Sequence, residues 1–321
     1  MINTQFLEKK NFKNLTNLYQ NYWESRSTVR TRPRKVIDFA IQGDFFPEDK
    51  QPLLLVDKIK GKGEEIKNII LLQTFYKYLD DIVNLEIGII NPVCNKIIYK
   101  NLPVKYSDFI KLNLQTIMID ELYHVYIAKD MILQLEHKFP QLEKIDFSLS
   151  DSMYAVSTIR EELDGGYHDI FEIIAVCIFE TTLVRDLVEF FNSKEVHPSI
   201  KYYVNDHMND EARHYAFFFD LLEYTWQELE VNYRREIGVR LAKFVKLYLN
   251  IHSEKKFNCK LLNILKFPSQ EAETITDDLY KGFDISPELP IVKNVLRVLE
   301  NTNILHDENV KYGFSKMGWQ V

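Results

Sequence analysis

The sequence predicts an all-α protein, a four-helix bundle with additional flanking helices. Three observations lead there. Glycine and proline occur only 10 times each in 321 residues, about 3% apiece against a usual level of about 7% and 5%, so tight turns and left-handed backbone positions are scarce. Apolar residues make up 46%, enough for a large packed core. Long segments with few helix breakers follow one another with short interruptions. A many-stranded sandwich, or a doubly wound sheet with a glycine-rich phosphate loop, fits none of these.

Residues 1–66 are polar and mixed, with a helix expected over Leu15–Val29. The basic stretch Arg30 to Lys35 reads as a solvated turn rather than a phosphate site. Asp44 to Gly63 contains Pro47, Pro52 and Gly61 and reads as a loop with a short ordered piece. Lys67–Ile90 then reads as a long helix stopped near Asn91-Pro92. Ser107–His137 reads as a second, stopped at Phe139-Pro140. Asp151–Leu163 is a shorter helix closed by Asp164-Gly165-Gly166, and His168–Asn192 is a third long one. Pro198 opens a fourth that runs to about Glu228. Another amphipathic helix spans about Asn232–His252, and the last seventy residues, with Pro268, Pro287 and Pro290, read as short helices around the bundle. Nothing resembling a linker divides the chain. One domain is therefore expected over 1–321, with the bundle at about 67–252.

Composition removes several function classes. Forty Lys+Arg against 47 Asp+Glu give a formal charge of -7, which disfavours a nucleic-acid binder. The longest apolar stretch, Ile170 to Phe191, is broken by Glu172, Glu180, Arg185, Asp186 and Glu189. A membrane span is therefore not expected. The N-terminus shows no secretory pattern. Cys94, Cys177 and Cys259 are odd in number and far apart, so no disulfide frame is expected. A cytoplasmic location is the simplest expectation.

Two of the long helices carry a glutamate in apolar surroundings: Glu86 between Ile82 and Ile90, and Glu180 between Ile173 and Val184. An isolated buried carboxylate is costly unless it is paired or binds a metal. Either one alone could simply face water. Each, however, is followed by a helix bearing D-E-x-x-H: Asp120-Glu121-Leu-Tyr-His124 and Asp210-Glu211-Ala-Arg-His214. Glutamate and histidine three apart lie about 60° apart on one helix face. A single ExxH is usually a surface pair. Here the order Glu…ExxH…Glu…ExxH recurs with similar gaps, 35 residues from Glu86 to Glu121 and 31 from Glu180 to Glu211. This is the ligand arrangement of a dimetal carboxylate site in a four-helix bundle. Hard carboxylates with imidazoles suit iron or manganese. Asp120 and Asp210 are candidates to accept the N–H of a ligand histidine and fix its orientation. His207, four residues before Glu211 and seven before His214, projects to the same side.

With His207 included, the chain resembles the di-iron N-oxygenases typified by p-aminobenzoate N-oxygenase. They are ferritin-like bundles with a Glu…ExxH…Glu…HxxxExxH pattern, met here over about residues 80–215. The segment Trp23 to Arg30 is similar to the family's N-terminal helix. The resemblance implies seven protein ligands to two irons: Glu86, Glu121, His124, Glu180, His207, Glu211 and His214. One ExxH histidine would share an iron with His207. It also implies a homodimer, and O2 reduction to a peroxo-diferric species that oxidises an amine nitrogen to hydroxylamine, nitroso and nitro, in secondary metabolism. The chain has no flavin fingerprint and no iron–sulfur cysteine set, so an external electron donor or reductase is expected.

Tyr78, eight residues before Glu86, and Tyr203, four before His207, are candidates to line a substrate pocket, with core packing as the alternative. Arg160, Arg185 and Arg297 are candidate partners for a substrate carboxylate. Three other functions share parts of the pattern. A C–H hydroxylase or desaturase would normally lack the extra histidine. An iron-storage protein would be a shorter chain. A radical-generating subunit would need a redox-active tyrosine and a partner.

Overall fold

The computed structural model describes residues 12–148, 150–182, 191 and 193–320. Its helices are α1 (Phe12–Arg26), α2 (Thr28–Thr31), α3 (Asp57–Lys60), α4 (Glu64–Leu85), α5 (Asn91–Tyr99), α6 (Asp108–Lys138), α7 (Asp151–Glu161), α8 (His168–Thr182), α9 (Pro198–Glu228), α10 (Val231–Tyr248), α11 (His252–Ile264), α12 (Ser269–Leu279), α13 (Pro290–Asn301) and α14 (Glu308–Lys316). Among the described residues the only β pairing is an isolated bridge between Asp44 and Val196. No described helix is long and apolar enough to cross a membrane.

Four long elements make the bundle: α4 with α5, α6, α8 and α9. α6 packs on α4 and α5, and α8 packs on α9. The buried positions of α6 recur at helical spacing, from Ile110, Asn113, Leu114 and Ile117 through Asp120, Glu121 and His124 to Ile127. The polar triplet thus occupies the same stripe as the apolar core residues. α8 is buried at every position from Ile170 to Thr182, which makes it the central helix. The C-terminal helices brace it: α13 lies on α8, and α10 lies between α7 and α14. At the α10–α14 crossing, a Cβ on Gly313 would come within 2.7 Å of the Val239 carbonyl oxygen, so the two backbones touch only because residue 313 is glycine.

The apolar core has two parts. One contains Leu114, Ile117, Phe179 and Phe217, the other Leu79, Ile127, Tyr203 and Met208. On α6 and α9 the residues between these parts are the carboxylates and imidazoles.

Several boundaries differ from expectation. The first helix spans Phe12–Arg26, breaks at Ser27, and resumes as α2. Asn91-Pro92 does not stop the chain's helix. Residues Glu86–Ile90 form a π turn that leads straight into α5, with Pro92 in its first turn. A proline there costs little, because the first turn of a helix does not need its N–H. α10 ends at Tyr248 rather than His252, and residues 249–251 separate it from α11. The predicted helix to Asn192 is seen as far as Thr182. Positions 183–190 and 192, Arg185 included, lie outside the described residues.

The basic stretch is exposed from Arg30 to Arg34, as expected of a solvated segment, but its last residue is not. Lys35 is only 3% exposed and is paired with buried Asp206, which Arg32 also approaches at 3.3 Å. Arg34 bonds Asp130 through Nη2 at 2.6 Å and Nε at 2.9 Å. These pairs tie the N-terminal segment to α6 and α9, an outcome that a count of charges does not reveal.

Candidate metal centre

Glu86 lies at the first position of the π turn of Glu86–Ile90. Such widened turns are rare and recur at functional sites. Glu121 and His124 come from α6, Glu180 from the buried helix α8, and His207, Glu211 and His214 from α9. All seven are buried.

They converge as two overlapping groups. Glu86, His124, His207 and Glu211 bring one ligand atom each within 4.8 Å of one another, and so do Glu121, Glu180, Glu211 and His214. Glu211 belongs to both. In the first group His207 Nε2 lies 3.1 Å from Glu211 Oε1 and 3.4 Å from Glu86 Oε1. The ring of His207 is 4.1 Å from that of His124, so the extra histidine shares its group with the histidine of the first ExxH. In the second group His214 Nδ1 is 3.0 Å from Glu121 Oε1 and 3.9 Å from Glu180 Oε2.

The donor set fits a pair of hard divalent cations. Glu86 Oε2, Glu121 Oε1, Glu180 Oε2 and His214 Nδ1 are buried with no hydrogen-bond partner. His214 Nδ1 and Glu121 Oε1 approach to 3.0 Å without hydrogen-bond geometry. Buried polar atoms are normally satisfied, and cations between the two groups would satisfy these.

Two aspartates support the histidines crosswise. His214 Nε2 lies 3.3 Å from Asp120 Oδ2, and His124 Nε2 lies 3.1 Å from Asp210 Oδ2. Each aspartate therefore serves the histidine of the other D-E-x-x-H motif and locks α6 to α9. Arg213 Nη2 donates to both, to Asp120 Oδ2 at 2.8 Å and to Asp210 Oδ1 at 2.7 Å. The helix break at Ser27 completes the layer. Ser27 Oγ (2.6 Å) and Trp23 Nε1 (2.9 Å) donate to Asp120, and the Thr28 N–H (3.1 Å) donates to Asp210. Arg213 stands inside the second D-E-x-x-H motif and Ser27 and Thr28 inside the Trp23–Arg30 segment, but nothing in the sequence marks any of them as a partner of the aspartates. His207 differs from the other two histidines: Nε2 of His124 and of His214 each meets an aspartate, whereas His207 turns Nε2 to Glu211 and its other ring nitrogen, Nδ1, has no partner.

The charges are mutually dependent. Burial, then the charges of Glu211 and Glu121, push Glu180 well above the ordinary carboxylate value, and burial with Glu121 raises Glu86. Glu211 is held well below it: burial opposes this, but His214 and His207 outweigh burial. Burial alone would discharge His124 and His214. Bonds from Asp210, Glu121 and Glu86 outweigh it at His124, and Glu121, Glu211 and Asp120 do so at His214, so both are raised well above the usual imidazole value. The metal-free centre therefore holds protons where cations would sit. Such raised values add stability below about pH 6.5 and lose it as pH rises through the raised pKa. A direct consequence is that metal loading at pH 7 releases protons. Titrating ferrous or manganous ion into the metal-free chain under weak buffering should acidify the solution, and a pH that stays constant at saturation would contradict this charge balance.

A cavity of about 540 Å³ opens onto the centre, and Glu86, Glu180, His207 and Glu211 form its inner wall. Tyr78 lines it. Tyr203 does not: it is 1% exposed in the core, its ring 6.1 Å from that of His207. It packs in the apolar cluster with Leu79, Ile127 and Met208, which is the core-packing alternative. Neither Arg160 nor Arg297 lines the cavity. Arg160 pairs with Glu172 at 3.0 Å and Arg297 is exposed beside Asn294. Among the described residues no arginine lines it.

An all-α bundle with this double Glu/His convergence is of the carboxylate-bridged dimetal class. The family model described as p-aminobenzoate N-oxygenase AurF matches residues 20–265, and the chain belongs to that family of ferritin-like di-iron enzymes. The match takes in all seven convergent residues and ends just after α11, so α12 to α14 lie beyond it. No curated protein matches the chain.

Proposed function

We propose that this protein is an N-oxygenase of small amines, arylamines above all, working in secondary metabolism. The observation that carries the reading is the convergence of four glutamates and three histidines at the closed end of a cavity of substrate size. Glu86, His124 and His207 would hold one iron, and Glu121, Glu180 and His214 the other. Glu211, common to both groups, would be shared. Iron held by these residues would supply the redox chemistry that activates O2, its electrons restored by an external donor.

The protein's own contribution is positioning and exclusion. Ile82, Leu85, Ile90 and Phe179 make the wall nearest the centre apolar, which keeps bulk water from the reacting nitrogen. Asp120 and Asp210 hold His214 and His124 so that Nδ1 faces inward. In the first step one oxygen atom of O2 ends in an N–OH bond and the other in water, with two electrons and two protons consumed. An external reductant or reductase supplies those electrons. Further rounds would give nitroso and nitro products. The free thiols Cys94, Cys177 and Cys259 suit a reducing cytoplasm.

The test is to load the full chain with ferrous ion, count metal per chain, reduce it, admit O2 and analyse an amine panel by mass spectrometry. About two irons per chain and hydroxylamine, nitroso or nitro products are expected. Hydroxylation only at carbon would replace N-oxygenation with the C–H reading. Uptake of many irons without organic product would point to iron handling.

A further inference from the structure

Resting on the N-oxygenase reading, we propose that electrons enter this protein at Trp23 and pass through Asp120 and His214 to the metal centre. Their donor is an acidic one-electron carrier protein, docked on the basic surface around Trp23. Trp23 Nε1 donates to Asp120 Oδ1 at 2.9 Å, and Asp120 Oδ2 lies 3.3 Å from His214 Nε2. With Nε2 held there, His214 turns Nδ1 towards Glu121, 3.0 Å away in the centre. Two short polar contacts thus join an indole to a metal-binding imidazole. The other crosswise arm ends differently. Asp210 accepts the Thr28 N–H and Arg213 Nη2, and among the described residues no aromatic ring continues it.

The chain of contacts ends at the surface, and the surface there is charged. Trp23 is half-buried, whereas Trp226 and Trp319 are buried. Arg30 Cζ stands 5.0 Å over its ring, and Arg26 Cζ stands 4.7 Å over the adjoining Tyr22. Arg26, Arg30, Arg32 and Arg34 are all exposed. From Tyr22 to Lys35 the sequence has five cations, Lys35 included, and one anion, Glu24. Glu24 meets Arg30 at 2.7 Å, while Asp206 and Asp130 reach Arg32 and Arg34 from α9 and α6. Five cations therefore face three anions, on a chain whose formal charge is -7. Such a local reversal of sign steers an acidic partner to this face.

The cavity creates the need for such a route. Glu86, Glu180, His207 and Glu211 close its inner end, and none of Asp120, Asp210, His124 and His214 lines it. An amine seated there blocks any reductant that arrives by the same opening. On the far side, a hollow of about 20 Å³ lies among Trp23, Asp120, Arg213 and His214. It holds about one water and is too small for a reductant. Electrons taken up while the amine is bound must cross the protein, and Trp23, Asp120 and His214 bridge that wall. Each passage moves one electron. The carrier is oxidised by one unit, one ferric ion becomes ferrous, and no bond forms or breaks along the chain. Trp23 conducts and is not itself reduced. Two carriers supply the two electrons that each N–OH bond consumes.

The probes are reduced plant-type ferredoxin, an acidic one-electron carrier, and dithionite, a small reductant that enters by the open cavity. The full chain, loaded with iron, oxidised and free of amine, is mixed anaerobically with each. Loss of ferric absorbance and oxidation of ferredoxin are followed by stopped flow. Two ferredoxins should be oxidised per centre. Trp23→Leu should abolish most of the ferredoxin rate relative to the dithionite rate. Trp23→Phe fills the same space without the N–H, so the ratio should fall there too even if the leucine variant fails to fold. Binding is read separately, by calorimetry of ferredoxin with the metal-free chain. Arg26→Glu with Arg30→Glu should weaken it by at least about tenfold at low salt, and the difference should vanish at high salt. A parent that ferredoxin cannot reduce, a ratio unchanged in Trp23→Phe, or binding indifferent to the charge reversal overturns the inference. Amine oxidation driven by dithionite that persists after such a result leaves the N-oxygenase reading intact. Absence of N-oxidised product with either reductant sinks that reading, while the rate ratio still decides where electrons enter.

Discussion

His207→Ala should keep the helical bundle and lose the metal centre's function. The imidazole is buried between Glu86 and Glu211, 3.4 Å and 3.1 Å from their oxygens. It makes no hydrogen bond through Nδ1, so its removal unties nothing outside the centre. In the metal-free chain the variant should give an unchanged helical circular dichroism spectrum and a melting temperature within a few degrees of the parent. Loss of a group that merely supports a ligand costs about 10–100-fold in metal affinity or activity, and loss of a ligand itself should exceed that. Metal analysis should therefore show fewer than two irons per chain, with amine oxidation lowered by more than about 100-fold. Tyr203→Phe is the matched control. It removes a buried hydroxyl without a partner, four residues away on the same helix, and should be close to neutral for both fold and metal content. Normal occupancy and normal oxidation in His207→Ala would remove it from the ligand set and leave the six residues of the two Glu…ExxH halves.

The sequence revealed the centre because helix geometry ties spacing to direction. Glu121 with His124, and Glu211 with His214, share a face whatever the rest of the chain does, and His207 falls on the same face. The boundary at Asn91-Pro92 misled because a proline is also tolerated in the first turn of a new helix, and the π turn at Glu86–Ile90 has no sequence signature. The supporting shell was half legible. Asp120 and Asp210 sit inside the motifs, but their crossing to the opposite histidine depends on how α6 and α9 pack. Ser27 and Thr28 reach the aspartates only because α1 breaks. The cavity was the least legible part. Asp81, Asp151 and Glu254, all on its lining, come from three separated helices, and no periodicity brings α7 and α11 to the same wall as α4.

Asp120→Asn should be the most destabilising single change at the centre. All four groups around Asp120 are donors: Trp23 Nε1, Ser27 Oγ, Arg213 Nη2 and His214 Nε2. A carboxylate offers two accepting oxygens to them. An amide replaces one oxygen with a donor, so one pair of these groups faces a like group in a fully buried setting. Arg213 would keep Asp210, but His214 would lose its partner or the N-terminal segment would lose its anchor. Breaking a buried charged pair from one side costs about 3–5 kcal/mol, and metal affinity should fall by about 10–100-fold as His214 is no longer held. Acid unfolding distinguishes this from a packing defect. Burial alone would raise Asp120, but the His214 bond and charge, the Ser27 bond and the Arg213 charge outweigh it and lower its pKa to about 2. An unfolded aspartate titrates near about 3.9. A lowered folded value means that the stabilisation is complete above about pH 4 and is lost as pH falls towards about 2, in all about 2–3 kcal/mol. Urea unfolding of the metal-free proteins should show a constant gap between parent and variant above about pH 5 and a narrowing gap below about pH 4. A gap that stayed constant into acid would mean that Asp120 contributes shape rather than charge, and the crosswise support of His214 would have to be abandoned.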